Sequence, residues 1–334
     1  MGRVLIKIIQ IVQIFRRAGY DFGSSCLPCA DQFTMPTSGN LLSPKDLSVA
    51  IGVSESSLKR WTDRGFLEVS RTAGGHRRID RNEAIRFVRS RKMQIVRPEI
   101  LGLPESVAAT PNIDLESLDD SDEAFLELMR HGHDLGARNH LLQRFLDGET
   151  IAALSDGPIR RSFDRIGELW HEGPEGILIE HRATEICVGL ALELSKMVPV
   201  KDDGPRAIGG AIAGDGYKLP PLLTTAVLQE HGFRAVNLGP NTPIEVFELA
   251  CFTDDPAQRP DLVWMSVNDL DQDDPGIGDR FTGFAKRCEA EDLTLVIGGR
   301  SVGEIDLEST PSLPVHRSMS AFADFLEAWK RRRT

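Results

Sequence analysis

Val53-Ser54-Glu55-Ser56-Ser57-Leu58-Lys59-Arg60-Trp61-Thr62-Asp63-Arg64-Gly65-Phe66-Leu67, with Gly74-Gly75-His76-Arg77-Arg78-Ile79 a short way beyond, decides the fold of the first part of this chain. Ser54 has the side chain of a helix N-cap, so a helix starts directly after it. At helical spacing Leu58 and Trp61 turn inward, and Ser56, Ser57, Lys59, Arg60 and Arg64 turn outward. Gly65 stops the helix. Phe66-Leu67-Glu68-Val69 and Arg77-Arg78-Ile79 are strand candidates around Gly74-Gly75, where paired glycines supply the positive φ angles of a hairpin.

Working outward, Ser43 caps and Pro44 opens an earlier helix with Leu47, Ala50 and Ile51 on its apolar face, which Gly52 ends. Asp80 followed by Glu83 has capping-box spacing and predicts a third helix from about Arg81 to Arg91. A helix with serines and cations outside and an apolar face inside suits the major groove of duplex DNA, and the hairpin would carry His76, Arg77 and Arg78 to phosphates. Charge agrees. Residues 41–97 hold 13 basic and 6 acidic side chains, a net +7, residues 1–40 carry +2, and the rest carries −20 of a total of −11. A basic head on an acidic body is the footprint of a chain whose head meets polyphosphate.

On these residues the segment resembles the MerR and excisionase-like winged-helix families, whose second helix often reads Thr-Leu-Arg-Tyr-Tyr-Glu-x-x-Gly-Leu-Leu. Ser57 to Leu67 follows that line. The resemblance implies a winged helix-turn-helix over residues 41–97 and double-stranded DNA as partner. It leaves transcription and recombination both open, because excisionases share the module.

The remaining chain is long enough for further domains. Residues 1–40 are expected to be disordered or an over-extended start, with Met35 standing just before the basic head. Val4 to Phe15 is apolar but interrupted by Lys7 and Gln10 and too short to span a bilayer, so a cytoplasmic protein with no membrane partner is expected. Cys26 and Cys29 have zinc-knuckle spacing without a second pair nearby, and Cys187, Cys251 and Cys288 suit buried thiols in a reducing compartment. No metal site is expected. Residues 98–121, with Pro104, Pro111 and acidic side chains, read as a linker that lets the head move.

Residues 122–200 carry four amphipathic stretches with breaks at Gly132, Gly148, Gly157 and Gly173-Pro174, predicting a four-helix bundle. In residues 201–334 the period changes. Short apolar runs at 207–213, 235–238, 262–267 and 293–297 alternate with helical segments near 222–231, 243–251 and 277–290. That alternation predicts a flavodoxin-like (Rossmann-like) parallel α/β sheet, so the whole chain is multidomain, α and α/β. Ligands are expected at the strand carboxyl ends, in loops 214–220, 266–270 and 298–302.

Trp170-His171 followed by Glu180-His181, and Ala213-Gly214-Asp215, Ser266 and Gly298-Gly299, carry a second resemblance. Head, bundle and sheet in this order are similar to the cobalamin-binding CarH and LitR photoreceptor repressors. This implies a cobalamin site, for adenosylcobalamin, at Trp170, His171, Glu180, His181, Asp215, Tyr217, Ser266, Gly298 and Gly299. The family loop is Asp-x-His-x-x-Gly, whose His ligates cobalt from below. Here the loop reads Asp215-Gly216-Tyr217-Lys218-Leu219-Pro220. A phenol with an ordinary pKa near ~10 is a poor neutral-pH ligand in place of imidazole. Lower-face protein ligation is therefore not expected.

The implied function is a DNA-binding transcriptional regulator, a repressor, forming a homo-oligomer controlled by cobalamin, light or a regulatory protein partner. Two alternatives stay open: a scaffold that no longer uses cobalamin, and a recombination accessory factor. No enzyme signature stands out, because Ser-His-Asp order, a phosphate loop with Lys and paired metal-ligand spacing are all missing. Asp269, Asp271, Asp273 and Asp274 lack the spacing of a calcium loop and read as a solvated turn.

Overall fold

The computed structural model describes residues 41–103, 121–169, 173–199, 202–270, 274, 276–305 and 313–333. The expectations for residues 1–40, including Cys26 and Cys29, and for Trp170, His171, Asp271, Asp273 and most of the 98–121 segment lie outside them.

The structure is mixed α and α/β. It begins with β1 (Leu41–Leu42) and α1 (Pro44–Ala50), where Ser43 and Asp46 cap the helix reciprocally, a box the sequence reading had placed only in part. α2 (Glu55–Asp63) follows, with the Ser54 side chain accepting from the Ser57 amide. Leu58 is fully buried, and Trp61 lies with its ring 5.3 Å from that of Phe87. The hairpin is β2 (Ser70–Arg71) with β3 (Arg77–Asp80), and β3 also pairs antiparallel with β1, giving the order β1-β3-β2. α3 (Arg81–Arg91) completes this part with the bounds that Asp80 predicted.

Two local expectations fail for one reason. Residues 66–69 form no strand, and Glu83 does not act as the second half of a capping box. The Glu83 carboxylate instead accepts the Glu68 amide at 2.9 Å and pairs with Arg86 at 2.5 Å, which draws residue 68 to α3 and delays the strand until Ser70. Arg91 stacks over the half-exposed Phe66 ring at 4.5 Å. The start of the expected linker is also occupied: Pro98–Leu101 forms a 3-10 turn, and Leu101 and Leu103 are buried in the core shared with α1 and α3.

The helical part comprises α4 (Ser121–Arg130), α5 (Asp134–Leu146), the short α6 (Ile151–Leu154), α7 (Arg160–Leu169) and α8 (Pro174–Met197). Breaks fall near Gly132, Gly148 and Gly173 as expected, where all three adopt positive φ. Gly157 does not break the chain. It sits with Pro158 in a π turn, Ser155–Ile159, that keeps α6 and α7 continuous.

The sheet contains β4 (Arg206–Ala211), β5 (Arg234–Asn237), β6 (Leu262–Ser266), β7 (Thr294–Gly298) and β8 (Val315–His316), all parallel, in the order β5-β4-β6-β7-β8. This is the 2-1-3-4-5 order of flavodoxin-like sheets, with its switch point beside β4. α9 (Leu219–Glu230) and α12 (Met319–Arg333) cover one face. α10 (Ile244–Cys251) and α11 (Ile277–Ala290) cover the other. The sequence reading missed β8 and α12. Among the described residues no helix is long and apolar enough to cross a membrane.

Candidate functional site

The outward face of α2 holds five of the residues singled out from sequence. Lys59, Arg60, Arg64 and Ser56 are exposed and Ser57 half-buried. Ser54 Oγ lies 2.8 Å from Ser56 Oγ and 3.0 Å from Ser57 Oγ, so the serines organise the first turn, and Arg60 donates to Ser57 Oγ at 3.3 Å. His76 is exposed at the hairpin tip, where Gly75 takes φ +78° and Thr72 and His76 close the turn through a 2.9 Å backbone bond. Arg77 has a different surrounding. Its guanidinium donates to Thr62 Oγ1 at 2.8 Å and to Asp63 at 2.7 Å, tying the hairpin to the end of α2, while the half-buried Arg78 lies one residue on. Sequence spacing places Arg77 on the hairpin but carries no signal of this tie.

The second site is the carboxyl edge of the sheet. Asp215 is fully buried, and its carboxylate accepts from the Tyr217 amide at 3.0 Å, the Asn268 amide at 2.8 Å and Asn268 Nδ2 at 3.1 Å. Burial pushes the Asp215 carboxyl above the usual carboxylate range even against these donors, and the charge of Asp269 adds to the rise. Arg300 donates from Nε to the Asn268 carbonyl at 2.9 Å and from Nη2 to the Tyr217 hydroxyl at 2.7 Å, with its guanidinium 4.9 Å from the Tyr217 ring. Three loops are thus joined by one chain of bonds, Asp215 to Asn268 to Arg300 to Tyr217. Asn268 and Arg300, which complete it, were not singled out from sequence; their positions just beyond β6 and β7 were the available signal.

Below these loops, strand register aligns Ala211, Ser266, Gly298 and His316 in one row across four strands. Ser266 and His316 share the face covered by α9 and α12 and flank the bare Gly298, roughly 10 Å apart at the ordinary strand spacing. Ser266 Oγ, His316 Nε2 and, two residues before Ser266, Trp264 Nε1 are buried without a hydrogen-bond partner among the described residues. Burial lowers the His316 pKa, so the ring is neutral near pH 7. At Gly299, φ is +129° and an added Cβ would fall 2.3 Å from the Val267 carbonyl oxygen, so this turn requires glycine.

Glu180 and His181 sit in the first half of α8, His181 exposed and Glu180 half-buried, 3.6 Å apart. Ser195 near the end of α8 bonds Gln229 near the end of α9, and the two helices pack against each other.

This geometry answers the cobalamin expectation in two parts. The orphaned polar atoms over Gly298 fit the polar nucleotide end of a corrinoid. Loop 214–220 contains no histidine and the Tyr217 hydroxyl is bonded to Arg300, so the loop does not fit ligation of cobalt by an imidazole.

No protein-family model matches the chain. Over 224 residues, 64% of this chain and 72% of the relative, it is 26% identical to the HTH-type transcriptional repressor CarA of Myxococcus xanthus. Among solved structures, it is similar to the monomethylamine corrinoid protein of Methanosarcina barkeri, with 16% identity, a TM-score of 0.45, and coverage of 61% of this chain and 96% of that one. A cobalamin-binding protein from Desulfitobacterium hafniense matches at 19% identity and a TM-score of 0.32, over 64% of this chain and 98% of its own. The methanol:cobalamin methyltransferase complex MtaBC of Methanosarcina barkeri matches at 16% identity and a TM-score of 0.31, over 66% and 84%.

Proposed function

We propose that this chain is a DNA-binding transcriptional regulator, a repressor, in which a bundle-and-sheet module of cobalamin-binding type governs a winged-helix head. Residues 41–97 are the head, 98–121 the connection, 122–200 the bundle and 201–334 the sheet domain. The observation that carries this reading is the outward face of α2, a capped helix beside a glycine-tipped hairpin with Lys59, Arg60 and Arg64 exposed. Ser56, Ser57, Lys59, Arg60 and Arg64 read the groove, and His76 and Arg78 meet the backbone, while Arg77 braces the hairpin. The similarity to the CarA repressor supports repression over recombination.

In the module, the row Ser266, Gly298 and His316 would hold the nucleotide end of a corrinoid, with Glu180 and His181 on the bundle side. A bound cobalamin would supply a large rigid group joining bundle to sheet; cobalt takes no imidazole from loop 214–220. Association of several chains then presents several heads, and multivalency across half-sites raises a weak single-head affinity. The closed loop gives support to a second reading, a regulator that works through a protein partner without cobalamin.

Fluorescence anisotropy with duplex DNA tests the DNA reading. The full chain binds with an affinity that falls steeply as salt rises, and Lys59→Ala with Arg60→Ala weakens binding and flattens that dependence. Equal affinity and slope in both proteins would reject it.

A further inference from the structure

α9 has one end at the crevice loop and the other at the head. It starts directly after Tyr217 and Lys218 and runs for 12 residues, about 18 Å at ~1.5 Å per residue, to Glu230. There the Glu230 carboxylate divides its bonds. Oε1 accepts from Arg89 of α3 at 3.0 Å, and Oε2 accepts from the Ile151 amide at 2.8 Å. Arg89 in turn donates from Nε to the Phe145 carbonyl at 2.8 Å and from Nη2 to the Glu149 carbonyl at 2.9 Å, with its guanidinium 3.6 Å from the centre of the Phe145 ring.

The placement of charge is systematic. Arg89 sits at the carboxyl end of α5, where free carbonyls make the helix end negative, and Glu230 sits at the amino end of α6, where free amides make it positive. Both side chains are largely buried, at 17% and 14% exposure, so the pair is poorly screened by solvent. The turn between α5 and α6 that receives them is itself held, because Arg144 bonds the Glu149 carboxylate at 2.6 and 2.7 Å and Asp122 at 2.5 Å. Head, bundle and sheet domain therefore meet at one buried ion pair.

We infer that α9 is a strut coupling the crevice loop to the head, and that Arg89 with Glu230 is the clasp by which it grips the head. A change at loop 214–218 that shifts α9 along or about its axis alters the clasp, and a change in how the head is held alters the loop by the same coupling free energy. The regulatory meaning of the strut rests on the function proposed above; its physical existence does not, and the test needs no DNA.

Hydrogen–deuterium exchange on the full chain reads it directly. Glu230→Gln keeps the shape and an acceptor for the Ile151 amide while removing the charge. Exchange is expected to quicken about fivefold or more, the low end of ordinary coupling, at the amides of residues 214–218 at the far end of α9. Amides of β4 and β6 should keep wild-type protection, which reports an intact fold. Arg89→Lys, which keeps the charge but loses the forked donors, should do the same and serves where Glu230→Gln does not fold. In the reverse direction, Tyr217→Phe, which removes the Arg300–Tyr217 bond, should quicken exchange at residues 147–151. Faster exchange confined to the residues touching Arg89 and Glu230, with loop 214–218 unchanged in both clasp variants, would overturn the inference and leave the pair a local brace.

Discussion

On the outward face of α2, Lys59 and Arg64 reach into solvent and Arg60 spends one donor on a serine; at the carboxyl edge of the sheet, Asp215, Asn268, Arg300 and Tyr217 bond one another. Both places are where their folds put a ligand: a helix beside a hairpin, and the switch point of a parallel sheet. The α2 face turns Lys59, Arg60 and Arg64 to solvent, an arrangement that suits a polyanion. The loop at the sheet edge has its polar groups bonded to one another, a structural tie among Asp215, Asn268, Arg300 and Tyr217. In the strand row beneath, Ser266 Oγ and His316 Nε2 are buried without a hydrogen-bond partner among the described residues. The loop and the row beneath it therefore differ in how far their polar groups are satisfied.

Several measurements would break or sharpen this contrast. The largest expected effect is in the head's core. Phe87 is 1% exposed and packs on Trp61, so Phe87→Ala should cost about 3–5 kcal/mol, read as a lower urea midpoint, and abolish DNA binding. DNA affinity surviving at wild-type strength would mean that the α2 face does not depend on the core beneath it. Next is Lys59→Ala with Arg60→Ala, which should weaken duplex binding by about a hundredfold, ~1–3 kcal/mol per contact, with thermal stability unchanged.

How much of this contrast is legible in the sequence depends on the range of the forces involved. Caps, glycine stops and apolar period are local, so α2, α3 and strands β4 to β7 could be read directly from residues such as Ser54, Asp80 and Gly65. Glu83 was misread because a carboxylate three residues after a cap has two possible partners, and the nearer in space, the Glu68 amide, is distant in sequence. Asn268 and Arg300 escaped notice for the same reason: their role exists only once β6 and β7 lie side by side. The two-residue strand β8 has too few residues to show any period. Tyr217 in loop 214–220 was visible in the sequence, whereas its bond to Arg300 was not.

At the crevice the effects are smaller and depend on pH. Burial raises the Asp215 carboxyl, so the ionised form costs stability: the contribution is fully present below the ordinary carboxylate value and is lost as pH rises through the raised one. Asp215→Asn should remove that fall, while costing about 1 kcal/mol at low pH because an amide meets three N–H donors with one acceptor fewer. Urea midpoints measured between pH 4 and 7 check it; parallel curves for the two proteins would contradict the burial argument.

The head should show the opposite sign. Hydrogen bonds from the Ser43 amide and hydroxyl hold Asp46 below its ordinary value, so its contribution is present above the unfolded pKa and is lost as pH falls through the folded one. Ser43→Ala should cost ~1 kcal/mol above that range and less below it, read from the same midpoints. A cost that grows on acidification would contradict the capping box as its source.

The contrast is tested most directly by titrating the full chain with hydroxocobalamin and reading the cobalt ligands from the absorption spectrum, with electron paramagnetic resonance after reduction to cobalt(II). The closed loop predicts that no protein imidazole replaces the cobalamin's own base on cobalt, and that Tyr217→Phe leaves the cobalt signature of any complex unchanged. A spectrum in which a histidine nitrogen of the chain occupies the lower face, or one that changes with Tyr217→Phe, would contradict the account.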